Sequence, residues 1–152
     1  AIKKMEQKGI SIDLSHASPK MIDDTLSMAT RPIIISHSGV KGTCNNVRNL
    51  SDNHLKKIAK NGGLIGIAMF KMAVCGNEVK DIAKAIHYTS QLIGARHVAL
   101  GSDFDGAVNS IIEVRGLPLI VEELLLLGMS ESDIRLIMGE NIKHFLLANL
   151  PD

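Results

Sequence analysis

Four short apolar runs, each followed by a polar loop and then by a stretch of helical periodicity, constrain this chain more than any other feature. Residues 10–14 (ISIDL), 32–36 (PIIIS), 63–68 (GLIGIA) and 97–101 (HVALG) are short and mostly β-branched, and read as strands. Helical patterns lie between and after them. Ser18 and Pro19 supply an N-cap and a first-turn proline for a helix to about Ala29. Ser51 caps a second over residues 52–61, stopped by Gly62, and residues 79–93 form a longer amphipathic helix ended by Gly94. Residues 117–127, 130–138 and 141–149 read as three closing helices separated by Gly128 and Gly139. Such alternation demands parallel strands joined by right-handed crossovers. Four βα units are about half of an eight-stranded barrel, which takes about 250 residues. A small open α/β sheet is the competing architecture, and strand content alone does not separate the two.

Composition narrows the function classes. The 152 residues are 45% hydrophobic and 22% charged, the balance of a folded domain. Lys plus Arg (17) nearly cancels Asp plus Glu (16), so no charge excess points to nucleic acid or to an anionic membrane face. Aromatics are 3% with no Trp, too few for base-stacking platforms. No apolar run approaches the ~20 residues that span a bilayer. Residues 1–8 (AIKKMEQK) read as the last turns of a helix closed by Gly9, with neither an initiator Met nor a signal peptide, so the chain is expected to be a fragment lacking its upstream part.

The polar residues fall where the strands end. The first run closes in Asp13-Leu14-Ser15-His16, the second in Ser36-His37-Ser38 and the fourth in Gly101-Ser102-Asp103-Phe104-Asp105-Gly106. In parallel α/β folds that edge gathers ligands and catalytic groups. Two His on neighbouring strands can offer neutral nitrogens to one metal, and an Asp further round can take a proton from a metal-bound water. Gly39-Val40-Lys41-Gly42-Thr43 has its Lys before the second Gly and does not match a phosphate loop.

These motifs, taken in order, resemble the membrane (renal) dipeptidase family of zinc peptidases. The resemblance rests on residues 13–18 (DLSHAS), on His37 placed 21 residues after His16, on Arg48-Asn49 placed 11 beyond His37, on residues 101–106 (GSDFDG, with Ser102 in place of a family Gly) and on Gly139-Glu140-Asn141. It covers nearly the whole chain but only the C-terminal half of the family's catalytic domain. It implies the C-terminal half of a (β/α)8 barrel, with four parallel strands and extra C-terminal helices, residues 1–152 forming one half-barrel unit. The implied activity is hydrolysis of a dipeptide by two zinc ions. His16 and His37 would be ligands of one metal, Asp103 the acid/base group beside the substrate amine, and Arg48 the partner of the substrate carboxylate. The family's His-x-Asp pair, its bridging Glu and a further substrate-binding His lie in the half not represented here, and no His-x-Asp occurs in the sequence. Asp105 and Ser102 read as loop-shaping, and His54, His87, His97 and His144 receive no role.

Cys44 and Cys75 follow the second and third runs, so adjacent loops bring them near one another, either as a disulfide or as two separate thiols. The resemblance implies a disulfide between these loops, and with it a periplasmic, secreted or membrane-associated protein. The expected partners are a dipeptide, the missing N-terminal half of the barrel and, through two exposed sheet edges, another copy of the chain; nucleic acid is not expected. Two other classes compete with the peptidase: a binding domain of the same descent that has lost metal chemistry, and a small phosphate-binding α/β protein.

Overall fold

A computed structural model describes residues 1–151. Its centre is a parallel sheet of β1 (Ile34–Ser38), β2 (Leu64–Ile67) and β3 (Val98–Leu100), in the order β1-β2-β3. The register pairs Ile34 with Leu64, Ile35 with Ile65, and Ile65 with Val98. The expected first strand is not one. Residues 10–14 contribute a single parallel bridge, Asp13 to Ile34, with Leu14 N–H donating to the Ile34 carbonyl and Ile34 N–H to the Ile12 carbonyl. Pairing stops there because the chain turns sharply, His16 taking a left-handed backbone at φ +64°.

The helices are α1 (Ile2–Gln7), α2 (Pro19–Met28), α3 (Asp52–Lys60), α4 (Lys71–Val74), α5 (Val79–Ile93), α6 (Leu117–Leu126), α7 (Glu131–Arg135) and α8 (Asn141–Asn149). Their starts follow the capping chemistry. Ser18 Oγ accepts from Met21 N–H, Ser51 Oγ from His54 N–H and Ser130 Oγ from Asp133 N–H, while Glu78 and Asp81 form a capping box on α5. Gly139 does break the helical path: its backbone is non-helical (φ 171°, ψ −28°) within the turn Leu136–Glu140, so the chain kinks between α7 and α8 as the sequence implies.

The two faces of the sheet are covered differently. Ile35, Ile65, Ile67 and Val98 join Leu55 and Ile58 of α3 and Ile82 and Ile86 of α5 in one buried cluster. The alternate residues Ile34, Leu64 and Ala99 pack with Ile142 and Phe145 of α8. Asn141 fixes that helix by donating from Nδ2 to the carbonyls of Ala95 (2.7 Å) and Val98 (2.8 Å). Further along the strands Gly66 and Gly101 replace large side chains. A Cβ on either would collide with the Ser36 carbonyl oxygen, so only glycine lets the three backbones approach at that level.

Candidate active site

His37 owes its place to an irregularity in β1. Ile35 pairs with Ile65 but Ser38 pairs with Ile67, so three steps on β1 match two on β2 and the extra residue falls at Ser36–His37. A bulge of this kind re-aims the side chain it carries. His16 arrives from the neighbouring bridge. Asp13 Oδ1 accepts from Ser15 N–H (2.9 Å), Ser15 Oγ (2.9 Å) and Ser36 N–H (3.1 Å), which folds the chain over the end of β1. Desolvation pushes the Asp13 carboxyl up, but the hydrogen bonds from Ser36 and Ser15 outweigh it and hold the group below the usual carboxylate range. The outcome is that His16 Nε2 and His37 Nε2 stand 2.9 Å apart.

Asp103 approaches from the loop after β3, also on a left-handed backbone (φ +59°), and its Oδ1 is 3.7 Å from His37 Nε2. Both side chains are largely buried, 16% of His37 and 14% of Asp103 being exposed. The non-glycine residues with positive φ among those described are His16, Asp103 and Cys75. Two of them carry the candidate chemistry, the usual location of backbone strain.

Arg48 comes from the loop after β1. Its own N–H and that of Asn49 donate to Asn46 Oδ1 (both 3.0 Å), and Asn46 Nδ2 donates to the Met72 carbonyl (2.7 Å). The buried Asn49 Nδ2 donates to the carbonyls of Cys44 (2.7 Å) and Ala73 (2.8 Å). A disulfide joins Cys44 to Cys75, closing the same two loops with a Cα–Cα distance of 5.3 Å. So held, the guanidinium lies 5.3 Å from the centre of the Phe70 ring, and Nη1 donates to His16 Nδ1 at 2.9 Å.

His16, Arg48 and Asp103 open onto a cleft of about 710 Å³ whose far wall is the segment 105–111. That segment is tied to the end of β2 by Ile111 N–H and Ser110 Oγ, both donating to the Met69 carbonyl. Asp105 shapes its turn by accepting from Ala107 N–H (2.7 Å). The remaining histidines serve elsewhere. His54 packs against Ser51 and Asp23, and His97 Nδ1 bonds the Gly63 carbonyl. Phe70, Ser15 and Ser36 were not expected at the site. The two serines each sit next to an expected ligand, which is the only sequence signal they give.

As a metal centre the cluster is half a donor set. Two imidazole nitrogens face one point, but among the described residues no group of three or more His, Cys, Asp or Glu is placed to hold an ion. Zinc takes four ligands in most sites. The pair therefore fits two of a metal's positions. Also among the described residues, no helix is long and apolar enough to cross a membrane.

Residues 1–147 match the sequence profile of membrane dipeptidases, peptidase family M19. The chain is 28% identical to dipeptidase 3 of Mus musculus over 148 residues, covering 93% of the chain and 30% of that protein. It is 31% identical to dipeptidase aclJ of Aspergillus oryzae over 153 residues, covering 95% and 36%. It thus spans about a third of the length of the curated relatives it matches. A metallopeptidase from Rhodobacter sphaeroides, solved with a phosphinate mimic of the dipeptide L-Ala-D-Ala, superposes with a TM-score of 0.89 at 26% identity over 97% of this chain and 45% of that one. An amidohydrolase from Pseudomonas aeruginosa gives 0.83 at 28% identity over 95% and 54%.

Proposed function

The chain belongs to the membrane dipeptidase family, and from that premise we propose that it forms part of a zinc-dependent enzyme hydrolysing the peptide bond of dipeptides. The observation that carries the proposal is the convergence of His16, His37, Asp103 and Arg48, from three separate loops and a bulged strand, on one rim of the sheet. His16 and His37 each offer Nε2 to a zinc ion. When bound, zinc would polarise the scissile carbonyl and lower the pKa of a water molecule toward about 7.

This chain's own residues supply binding and proton transfer. To ligate through Nε2, His16 keeps its proton on Nδ1, and in that tautomer it no longer accepts from Arg48. The guanidinium is then free to grip the substrate's carboxylate with its planar fork, steadied by the ring of Phe70. Asp103 takes the proton of the attacking water and delivers it to the leaving amine, and it also binds the substrate's free amine.

The order β1-β2-β3 runs without reversal, which supports reading residues 1–152 as the C-terminal half of a (β/α)8 barrel. The other half then supplies the missing ligands, a second zinc ion and the strands that pair with the open sheet edges; another copy of the chain is the alternative partner for those edges. The disulfide supports a periplasmic, secreted or membrane-associated setting. The two-imidazole donor set favours one other reading, a binding domain without turnover. Dipeptide cleavage separates them. The complete protein should turn over only without chelator, and Asp103→Ala should lower kcat by about 100-fold or more. The 152-residue chain alone should be silent. Chelator-insensitive cleavage, or full activity of Asp103→Ala, would reject the mechanism.

A further inference from the structure

The donors and acceptors around His37 can be assigned one proton at a time. An ionised carboxylate only accepts, so the Ser15 hydroxyl proton points at Asp13 Oδ1 (2.9 Å). Ser15 Oγ, which also receives His37 N–H (3.1 Å), is then the acceptor in its 3.0 Å contact with Ser36 Oγ. The single proton of Ser36 is spent on that bond. Its oxygen must therefore accept from the ring of His37, whose Nδ1 lies 3.0 Å away. With the proton on Nδ1, His37 Nε2 carries a bare lone pair, and it faces His16 and Asp103. The opposite tautomer would set lone pair against lone pair somewhere along this line.

We propose that Asp13, Ser15 and Ser36 form a one-way hydrogen-bond relay that holds His37 in the Nδ1–H tautomer and so presets its Nε2 to ligate a divalent metal. The inference rests on the reading of His37 as a ligand. Ser36 is its key positioning residue: it acts through the Nδ1 edge of the His37 ring, and it sits on the bulge that aims that ring. Outer partners that orient a ligating His alter metal affinity by about 10–100-fold. His16 also acts on the ring, by directing its own Nε2 at that of His37, so the relay has to be tested with that influence removed.

Two measurements on the complete protein, with the remaining ligands in place, decide it. Calorimetric titration with Zn²⁺ should show affinity falling about tenfold or more in Ser36→Ala and staying within about threefold in Ser36→Thr, which keeps the hydroxyl. Imidazole ¹⁵N shifts at neutral pH, without metal, should show His37 protonated on Nδ1 in His16→Ala and a mixture of tautomers in His16→Ala combined with Ser36→Ala. Unchanged zinc affinity in Ser36→Ala, or a ring that stays wholly Nδ1–H in the combined variant, would overturn the proposal. A complete wild-type protein that takes up no zinc would count against the peptidase reading instead, while the ¹⁵N shifts would still decide the relay.

Discussion

Removing the Cys44–Cys75 bridge tests how the Arg48 loop is held. The cysteines are 31 residues apart in sequence, and that segment contains β2, α3 and the part of the loop after β1 that carries Arg48. Opening a loop of that length returns chain entropy to the unfolded state worth about 3.7 kcal/mol at 25 °C. For a domain of this size the loss lowers the Tm by roughly 7–15 °C. The site should loosen less than the fold. Asn46 and Asn49 still bridge the Arg48 loop to α4 through the carbonyls of Met72 and Ala73. The assay is urea unfolding of Cys44→Ser/Cys75→Ser beside the parent, each followed by circular dichroism. A drop near the stated size, with an m-value unchanged or raised by the more expanded unfolded chain, supports the account. A drop below about 1 kcal/mol would mean that the bridge does not act by restricting the unfolded chain, and would refute the reasoning.

Other outcomes follow from single contacts. Asn49→Ala strands the carbonyls of Cys44 and Ala73 and should cost about 1–3 kcal/mol in the same assay. Asp103→Gly relieves a left-handed backbone and gives up no side-chain hydrogen bond, so denaturant melts should show stability unchanged or raised by up to ~1 kcal/mol, while turnover of the complete protein falls about 100-fold or more. Asp13 has a folded-state pKa below its unfolded value, so its contribution is full above about pH 4 and is lost as pH falls through the lower, folded pKa; Asp13→Asn should flatten that acid limb of stability against pH.

Much of this arrangement is legible in the sequence, and the parts that are not share a cause. β1, β2 and β3 follow from apolar runs too short for helices, and the caps of α2, α3 and α7 from Ser18, Ser51 and Ser130. Residues 10–14 carry the same β-branched signature yet make one bridge, because the turn at His16 ends their pairing, and no propensity encodes that. Helix α4 is one turn long and has no period to read. The break that Gly139 implied is present as a kink between α7 and α8, while the direction the chain takes through it carries no sequence signal. At the site, His16, His37 and Asp103 stand out because charged or ligating residues at strand ends are informative by position. Ser15, Ser36 and Phe70 do not stand out: a hydroxyl's role depends on which way its proton points, and a ring's on what lies across its face.

Anomalous diffraction at the zinc edge, from crystals of the complete protein grown with Zn²⁺, tests the central claim most directly. The account predicts a peak between the two rings, about 2.0–2.1 Å from both His16 Nε2 and His37 Nε2, with Arg48 withdrawn from His16. A zinc peak that leaves both imidazoles unliganded, or none at all under conditions where the enzyme cleaves dipeptides, would contradict it.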